Sequence, residues 1–110
     1  PDEEMVRLLS TARASIFPSY FEGLGLPILE SYTAGTPCFA SCYTATREFV
    51  PAECSFDPFD MEDIVRAIAR IYADPALCCE SLAFGRRLIQ SVNWDTAADK
   101  MMQKLSELTR

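Results

Sequence analysis

The sequence predicts an α/β fold, the second half of a doubly wound parallel sheet with three short strands and flanking helices. Three observations lead there. Three apolar runs of three or four residues, Ala14 to Phe17, Cys38 to Ser41 and Cys54 to Phe56, are bounded by proline or turn residues. They alternate with stretches whose apolar residues recur every three or four positions, as on one face of a helix. A glycine-rich turn joins the first run to such a stretch, and a strand, a helix and a strand in that order form a right-handed parallel crossover.

Asp2 to Arg13 reads as a helix. Met5, Leu8, Leu9 and Ala12 recur at helical spacing, and Asp2, Glu3 and Glu4 stand at the positive end of its dipole. Ala14 to Phe17 is the first strand. Pro27 suits the first turn of the next helix, where a missing N–H is harmless, and Gly35 followed by Pro37 ends it. Cys38 to Ser41 is the second strand. Tyr43 to Val50 is mixed in character and predicts a loop and a short helix, with Thr44 and Thr46 as caps, stopped at Pro51. Cys54 to Phe56 is a third short strand.

Asp60 to Ala73 is the clearest helix. Asp60 caps it, and Met61, Ile64, Val65, Ile68, Ile71 and Tyr72 form one apolar stripe, expected to be core. Asp74-Pro75 stops it and starts another, carrying Leu77, Leu82, Leu88 and Ile89. Asn93 caps a final helix lined on one side by Trp94, Ala97, Ala98, Met101, Leu105 and Leu108. Three strands alone leave the first with an open edge, so an upstream half-domain is expected. The chain begins at Pro1 and is expected to be part of a longer one, with residues 1–110 forming a single partial domain.

The stretch from Pro18 to Pro37 carries the chemistry. It holds two carboxylates, Glu22 and Glu30, with seven residues between them, Gly23, Gly25 and Pro27 among these. Two glycines in three residues let a backbone turn tightly and approach a ligand. In an open α/β sheet such a turn lies at the carboxyl end of a strand, where ligands bind. Glu22 is placed in the loop. Glu30 falls about one turn into the helix, flanking an apolar face of Leu26, Leu29 and Thr33. The free N–H groups of the helix start make an anion site fit for a phosphate. A phosphate cradle with two nearby carboxylates suits a sugar nucleotide, because carboxylates accept hydrogen bonds from sugar hydroxyls. Glycoside hydrolysis also uses paired carboxylates. A helix start between them favours an anion, which a glycoside lacks.

Composition narrows the field. The net charge is −6, and Arg86-Arg87 is the only basic doublet, which speaks against nucleic acid as a partner. Cys38, Cys42, Cys54, Cys78 and Cys79 are odd in number and lack C-x2-C spacing, so reduced thiols in a cytoplasmic protein are expected rather than a disulfide framework or a zinc site. There is no histidine to act as base or ligand. Asp57 and Asp60 do not make a carboxylate cluster for magnesium or manganese, and no metal ligand is assigned. No apolar run reaches transmembrane length, and no signal-peptide pattern is present.

Glu22-Gly-Leu-Gly-Leu-Pro-Ile-Leu-Glu30 resembles the E-x7-E motif of retaining glycosyltransferases with the GT-B fold, glycosyltransferase family 4 especially. Phe17-Pro18-Ser19 before it, Gly35-Thr36-Pro37 followed by Ala40-Ser41 after it, Asp57-Pro58, and Asn93-Trp94 resemble further family motifs in the same order. The resemblance covers nearly the whole chain. It implies a Rossmann-like donor domain and a metal-independent transfer from a nucleotide sugar, UDP- or GDP-linked, with no other cofactor. It further implies that Glu22 is catalytic, facing the donor sugar near its anomeric carbon, and that Glu30 holds the ribose hydroxyls. The backbone of Gly23, Leu24, Gly25 and Leu26 faces sugar and phosphate. Leu24 departs from the family, where an aromatic is commoner, and Tyr32-Thr33 replaces the usual small residues. The basic groups for the diphosphate and the contacts to a glycan, lipid or protein acceptor lie elsewhere in the family's chains, which leaves room for peripheral membrane contact through another domain. A non-catalytic nucleotide-sugar-binding or assembly role is the alternative.

Overall fold

The computed structural model describes residues 2–109. Helix α1 (Asp2–Thr11) leads into strand β1 (Ser15–Phe17), helix α2 (Leu26–Thr33) and strand β2 (Cys38–Ser41). Two 3-10 turns, Thr44–Glu48 and Ala52–Cys54, precede strand β3 (Ser55–Phe56). Helices α3 (Met61–Ala73), α4 (Pro75–Ser91) and α5 (Trp94–Leu108) complete the chain. The three strands form one parallel sheet in the order β1-β2-β3, with Ser15 opposite Cys38 and Ala40 opposite Ser55. This is the Rossmann-like α/β arrangement that the alternating pattern predicts.

Strand β2 is buried along its whole length, as a central parallel strand with both faces covered must be. Around it pack Ile28 and Tyr32 of α2, Phe56 of β3, Ala67 and Ile71 of α3, and Leu77 of α4. The buried line of α4 is Leu77, Ser81 and Gly85, one residue per turn and mostly small. Small residues let α4 approach closely. The Tyr32 ring fills the space where a side chain at 85 would stand. The Ser81 hydroxyl ties α4 to β2, donating to the Cys38 carbonyl at 3.0 Å and accepting from the Cys38 amide at 3.1 Å. Its one proton is thus engaged, so the Tyr32 phenol, 3.4 Å away, donates to it.

The caps predicted at Asp60 and Asn93 are present, and Asp74 caps α4. The Asp60 carboxylate accepts from the amides of Glu62 and Asp63, Asp74 accepts from Leu77, and Asn93 accepts from Thr96. Helix α2 ends in a Schellman motif: Gly35 is left-handed (φ 81°), its amide donates to the Tyr32 carbonyl, and the Thr36 amide donates to the Ser31 carbonyl. The Thr36 hydroxyl donates to the Leu9 carbonyl, holding the end of α1 against this turn.

Two expectations about faces are corrected. The α3 stripe is not wholly core. Only Ala67 and Ile71 are buried and Ile64 half-buried, while Met61, Val65, Ile68 and Tyr72 face outward. The stripe is wider than the strip β3 and α4 can cover. Thr44 and Thr46 do not cap the following turn: no side-chain cap is present there, and the Thr46 hydroxyl instead points back to the carbonyls of Ser41 and Tyr43. Neither α1 nor α5 buries any residue.

Candidate functional site

The chain leaves β1 at Phe17 and turns through residues 18–25 before α2 begins. Gly25 is the N-cap of α2 and is left-handed, with φ 77° and ψ 51°. A Cβ there would also press on Ile28 at 3.3 Å and on Thr46 at 3.6 Å, so both conformation and space call for glycine. Gly23 differs. Its φ is not positive and nothing stands within 4 Å of where its side chain would be. The chain itself sets no demand for glycine at 23, and the space beside it is open. Leu24 and Leu26 are exposed. No side chain caps the start of α2, and Pro27 occupies its first turn. The amides of Gly23, Leu24, Gly25 and Leu26 donate to none of the described residues, while that of Ile28 donates to the Gly25 carbonyl at 3.0 Å.

Glu22 is half-buried and held twice. The Ser19 hydroxyl donates to its Oε1 at 2.8 Å. Its own amide donates to the Thr44 hydroxyl at 3.2 Å, across from the loop that follows β2. Thr44 is left-handed, with φ 53°, an uncommon conformation for a β-branched residue. Residue patterns did not single out Ser19 or Thr44 as site residues. The three-residue spacing of Ser19 and Glu22, short enough for a local side-chain contact, was the available signal for the first. Nothing local signals the second.

Glu30 is exposed and lies along an open groove of about 450 Å³ between α1 and α2. Met5, Val6 and Leu9 form one wall, and Leu26, Leu29 and Thr33 form the other. The face of Leu26, Leu29 and Thr33 therefore fronts this groove, while Ile28, Ser31 and Tyr32 form the buried face of α2. A second groove, bounded by β1 and α1, also has Glu30 on its rim, and neither groove includes Glu22.

An aromatic cluster lies on the loops after the three strands. Tyr20 and Phe59 stack with centroids 4.5 Å apart, and Tyr43 meets Phe59 edge-on at 5.7 Å. The Tyr43 hydroxyl donates to Asp57 at 3.3 Å, and that carboxylate pushes the phenol above its ordinary value. The Asp57 amide in turn donates to Asp63 at 2.8 Å, which holds the Asp63 carboxyl below the usual range, with Arg66 assisting. Among the described residues no group of three or more Cys, Asp or Glu side chains is placed to hold a metal ion.

Comparison with known proteins bears on this arrangement. The family described as glycosyl transferases group 1 matches residues 1–91. The chain is 33% identical to the O-antigen chain mannosyltransferase B of Escherichia coli over 86% of its length and 25% of that protein. It is 32% identical to the glycogen synthase of Mycobacterium tuberculosis over 91% of its length and 25% of that protein. Among solved structures, sucrose-phosphate synthase from Thermosynechococcus elongatus superposes with a TM-score of 0.76 at 32% identity, over 97% of this chain and 28% of that one. The chain spans about a quarter of the length of these relatives. With the glycine turn at the end of β1 and the family match running through it, the chain belongs to the glycosyl transferases group 1.

Proposed function

We propose that this chain is the donor-binding part of a retaining, metal-independent glycosyltransferase that moves a sugar from a nucleotide sugar to an acceptor. The observation that carries the reading is the family match over residues 1–91, which contains the whole Glu22-to-Glu30 stretch. The geometry is compatible with it: an uncapped helix start, four unengaged amides, and open space beside Gly23. In this reading the amides of residues 23–26 and the dipole of α2 take up negative charge on the diphosphate. Glu22 faces the sugar, where positive charge develops as the bond to the diphosphate breaks. Glu30 accepts hydrogen bonds from the ribose hydroxyls.

The rest of the machinery belongs to a longer chain. The unpaired outer edge of β1, the uncovered apolar faces of α1 and α5, and the span of the relatives support this. That longer chain supplies the cations for the diphosphate and the acceptor site. A relative is named a mannosyltransferase, so a mannose nucleotide, GDP- or UDP-linked, is the first donor to test.

The test is donor consumption by the full-length enzyme with a panel of UDP- and GDP-sugars in excess chelator, with product configuration read by NMR. Turnover with an unchanged anomeric configuration is the expected result. No turnover with any nucleotide sugar overturns the reading. Activity lost in chelator and restored by manganese or magnesium overturns metal independence, and an inverted product overturns retention.

A further inference from the structure

We infer that Ser19 and Thr44 are positioning residues that together fix Glu22, Ser19 through its carboxylate and Thr44 through its backbone. The inference rests on the role proposed for Glu22 and adds how a carboxylate on an irregular loop is held for it. Residues 18–25 form neither helix nor strand, so no ladder of backbone bonds restrains Glu22. A group that acts on developing charge must be held to within a fraction of an ångström, and loops hold side chains less well than helices or strands do.

The structure supplies two restraints. Ser19 donates to Oε1 at 2.8 Å, a good length for a hydroxyl bonded to a carboxylate, and no described residue donates to Oε2. One oxygen is thus anchored and the other left to face a ligand. The second restraint comes from 22 residues away, where the Thr44 hydroxyl accepts from the Glu22 amide at 3.2 Å. It joins the loop after β1 to the loop after β2.

Thr44 itself is the telling residue. Its left-handed backbone is costly for a β-branched side chain, and such conformations persist where the surroundings enforce them, often at functional sites. Here the enforcement is visible. Thr46, buried in the same turn, shares its one hydroxyl proton between the carbonyls of Ser41 and Tyr43 and holds the turn from below. Glycine would adopt this backbone at less cost, but it has no hydroxyl to receive the Glu22 amide. The strain and the hydroxyl at Thr44 therefore belong to one device.

The experiment uses the full-length enzyme, five single variants (Ser19→Ala, Thr44→Val, Thr44→Ser, Thr44→Gly and Glu22→Gln) and the Ser19→Ala, Glu22→Gln double variant. Ser19→Ala and Thr44→Val each lower kcat by about tenfold to a hundredfold, with the donor KM within about twofold. Thr44→Ser restores most of the rate, because it keeps the acceptor. Thr44→Gly raises the melting temperature by relieving the backbone, yet lowers kcat. A purely structural role predicts that stability and rate move together. Ser19→Ala also adds no further loss in the Glu22→Gln background, since the carboxylate it positions is gone. Wild-type kcat in Ser19→Ala and in both Thr44→Val and Thr44→Gly, alongside an impaired Glu22→Gln, overturns the positioning role and leaves the role of Glu22 standing. Wild-type kcat in Glu22→Gln overturns both. Melting curves accompany every variant, and Thr44→Gly carries the test where Thr44→Val fails to fold.

Discussion

The ring of Tyr32 occupies the space that a side chain at Gly85 would need, so the packing of α2 on α4 is a large residue set against an absent one. Both are buried, and the Tyr32 hydroxyl reaches Ser81 one turn earlier on α4. Burial pushes the phenol well above its ordinary range, so it remains a neutral donor. Gly85 and Ser81 leave the room that admits the ring.

The first prediction follows from that pair. Alanine is the better helix former by about 1 kcal/mol, so Gly85→Ala on an open helix face would stabilise. Here the new methyl group overlaps the ring, and Gly85→Ala is expected to destabilise by about 1–3 kcal/mol. In a Tyr32→Leu background the penalty should shrink to zero or reverse. Urea midpoints of the four proteins measure this coupling. Equal penalties in both backgrounds would show that the ring is not what Gly85 accommodates.

The second prediction concerns pH. Burial pushes the Cys38 thiol up to about 11 and the Cys54 thiol up to about 12, against about 9 for a free thiol. The folded values lie above the unfolded ones, so the unfolded chain loses these protons first as pH rises. Their contribution to stability is complete below about pH 9 and is lost between about 9 and 11–12. The expected slope is about 1.4 kcal/mol per pH unit for each thiol. Unfolding midpoints between pH 8 and 10.5 should fall, and fall less steeply in a Cys38→Ala, Cys54→Ala variant. An unchanged slope in that variant removes the thiols as the cause. At pH 8, a thiol reagent should modify the exposed Cys79 quickly and reach Cys38 and Cys54 only on unfolding.

What could be read from the sequence divides along the range of the forces involved. The caps at Asp60, Asp74 and Asn93, the stop at Gly35 and the left-handed turn at Gly25 depend on a residue and its near neighbours, and the residue types announce them. Faces are less legible. Met61, Val65, Ile68 and Tyr72 are as apolar as the buried Ile71, and which line is covered depends on how β3 and α4 lie across α3. On α4 the buried line runs through Ser81 and Gly85, which hydrophobic periodicity passes over. At the candidate site, the glycine loop stands out by composition. The link from Thr44 to Glu22 does not, since it joins separate loops and threonine is not a residue type that signals positive φ.

The third prediction tests whether a longer chain covers the open faces. Trp94, the single tryptophan, is 90% exposed, and Met101, Met102, Leu105 and Leu108 on the same helix are exposed too. Apolar patches of this kind mark surfaces that meet another part of a protein. In the excised 110 residues, Trp94 fluorescence should be quenched by iodide almost as freely as a tryptophan in water. In a full-length variant that keeps Trp94 and has any other tryptophan replaced by phenylalanine, the quenching should drop several-fold. The excised chain should transfer no sugar. Equal quenching in both proteins would show that α5 stays uncovered, and robust turnover by the excised chain would show that the donor-binding part suffices.

The last prediction separates the two glutamates. As the donor bond breaks, positive charge builds on the sugar ring, and a carboxylate held beside it gains interaction in that state. If Glu22 is that group, its contribution appears in the transition state and not in the bound substrate. Removing one preorganised electrostatic partner typically costs about 3–4 kcal/mol, a hundredfold or more in rate. Glu22→Gln should therefore lower kcat by about that factor and leave the donor KM nearly unchanged. Glu30 is exposed on the groove between α1 and α2. Holding ribose hydroxyls, it would serve substrate and transition state alike, and its loss would remove uniform binding. A hydrogen bond to a charged group contributes about 1.5–3 kcal/mol, so Glu30→Gln should raise the donor KM by about ten- to a hundredfold and spare kcat. Glu30 is exposed, so this substitution leaves the buried face of α2 intact, and circular dichroism should show an unchanged fold. Near-normal kinetics in both variants, or the reversed pattern, would refute this division of roles.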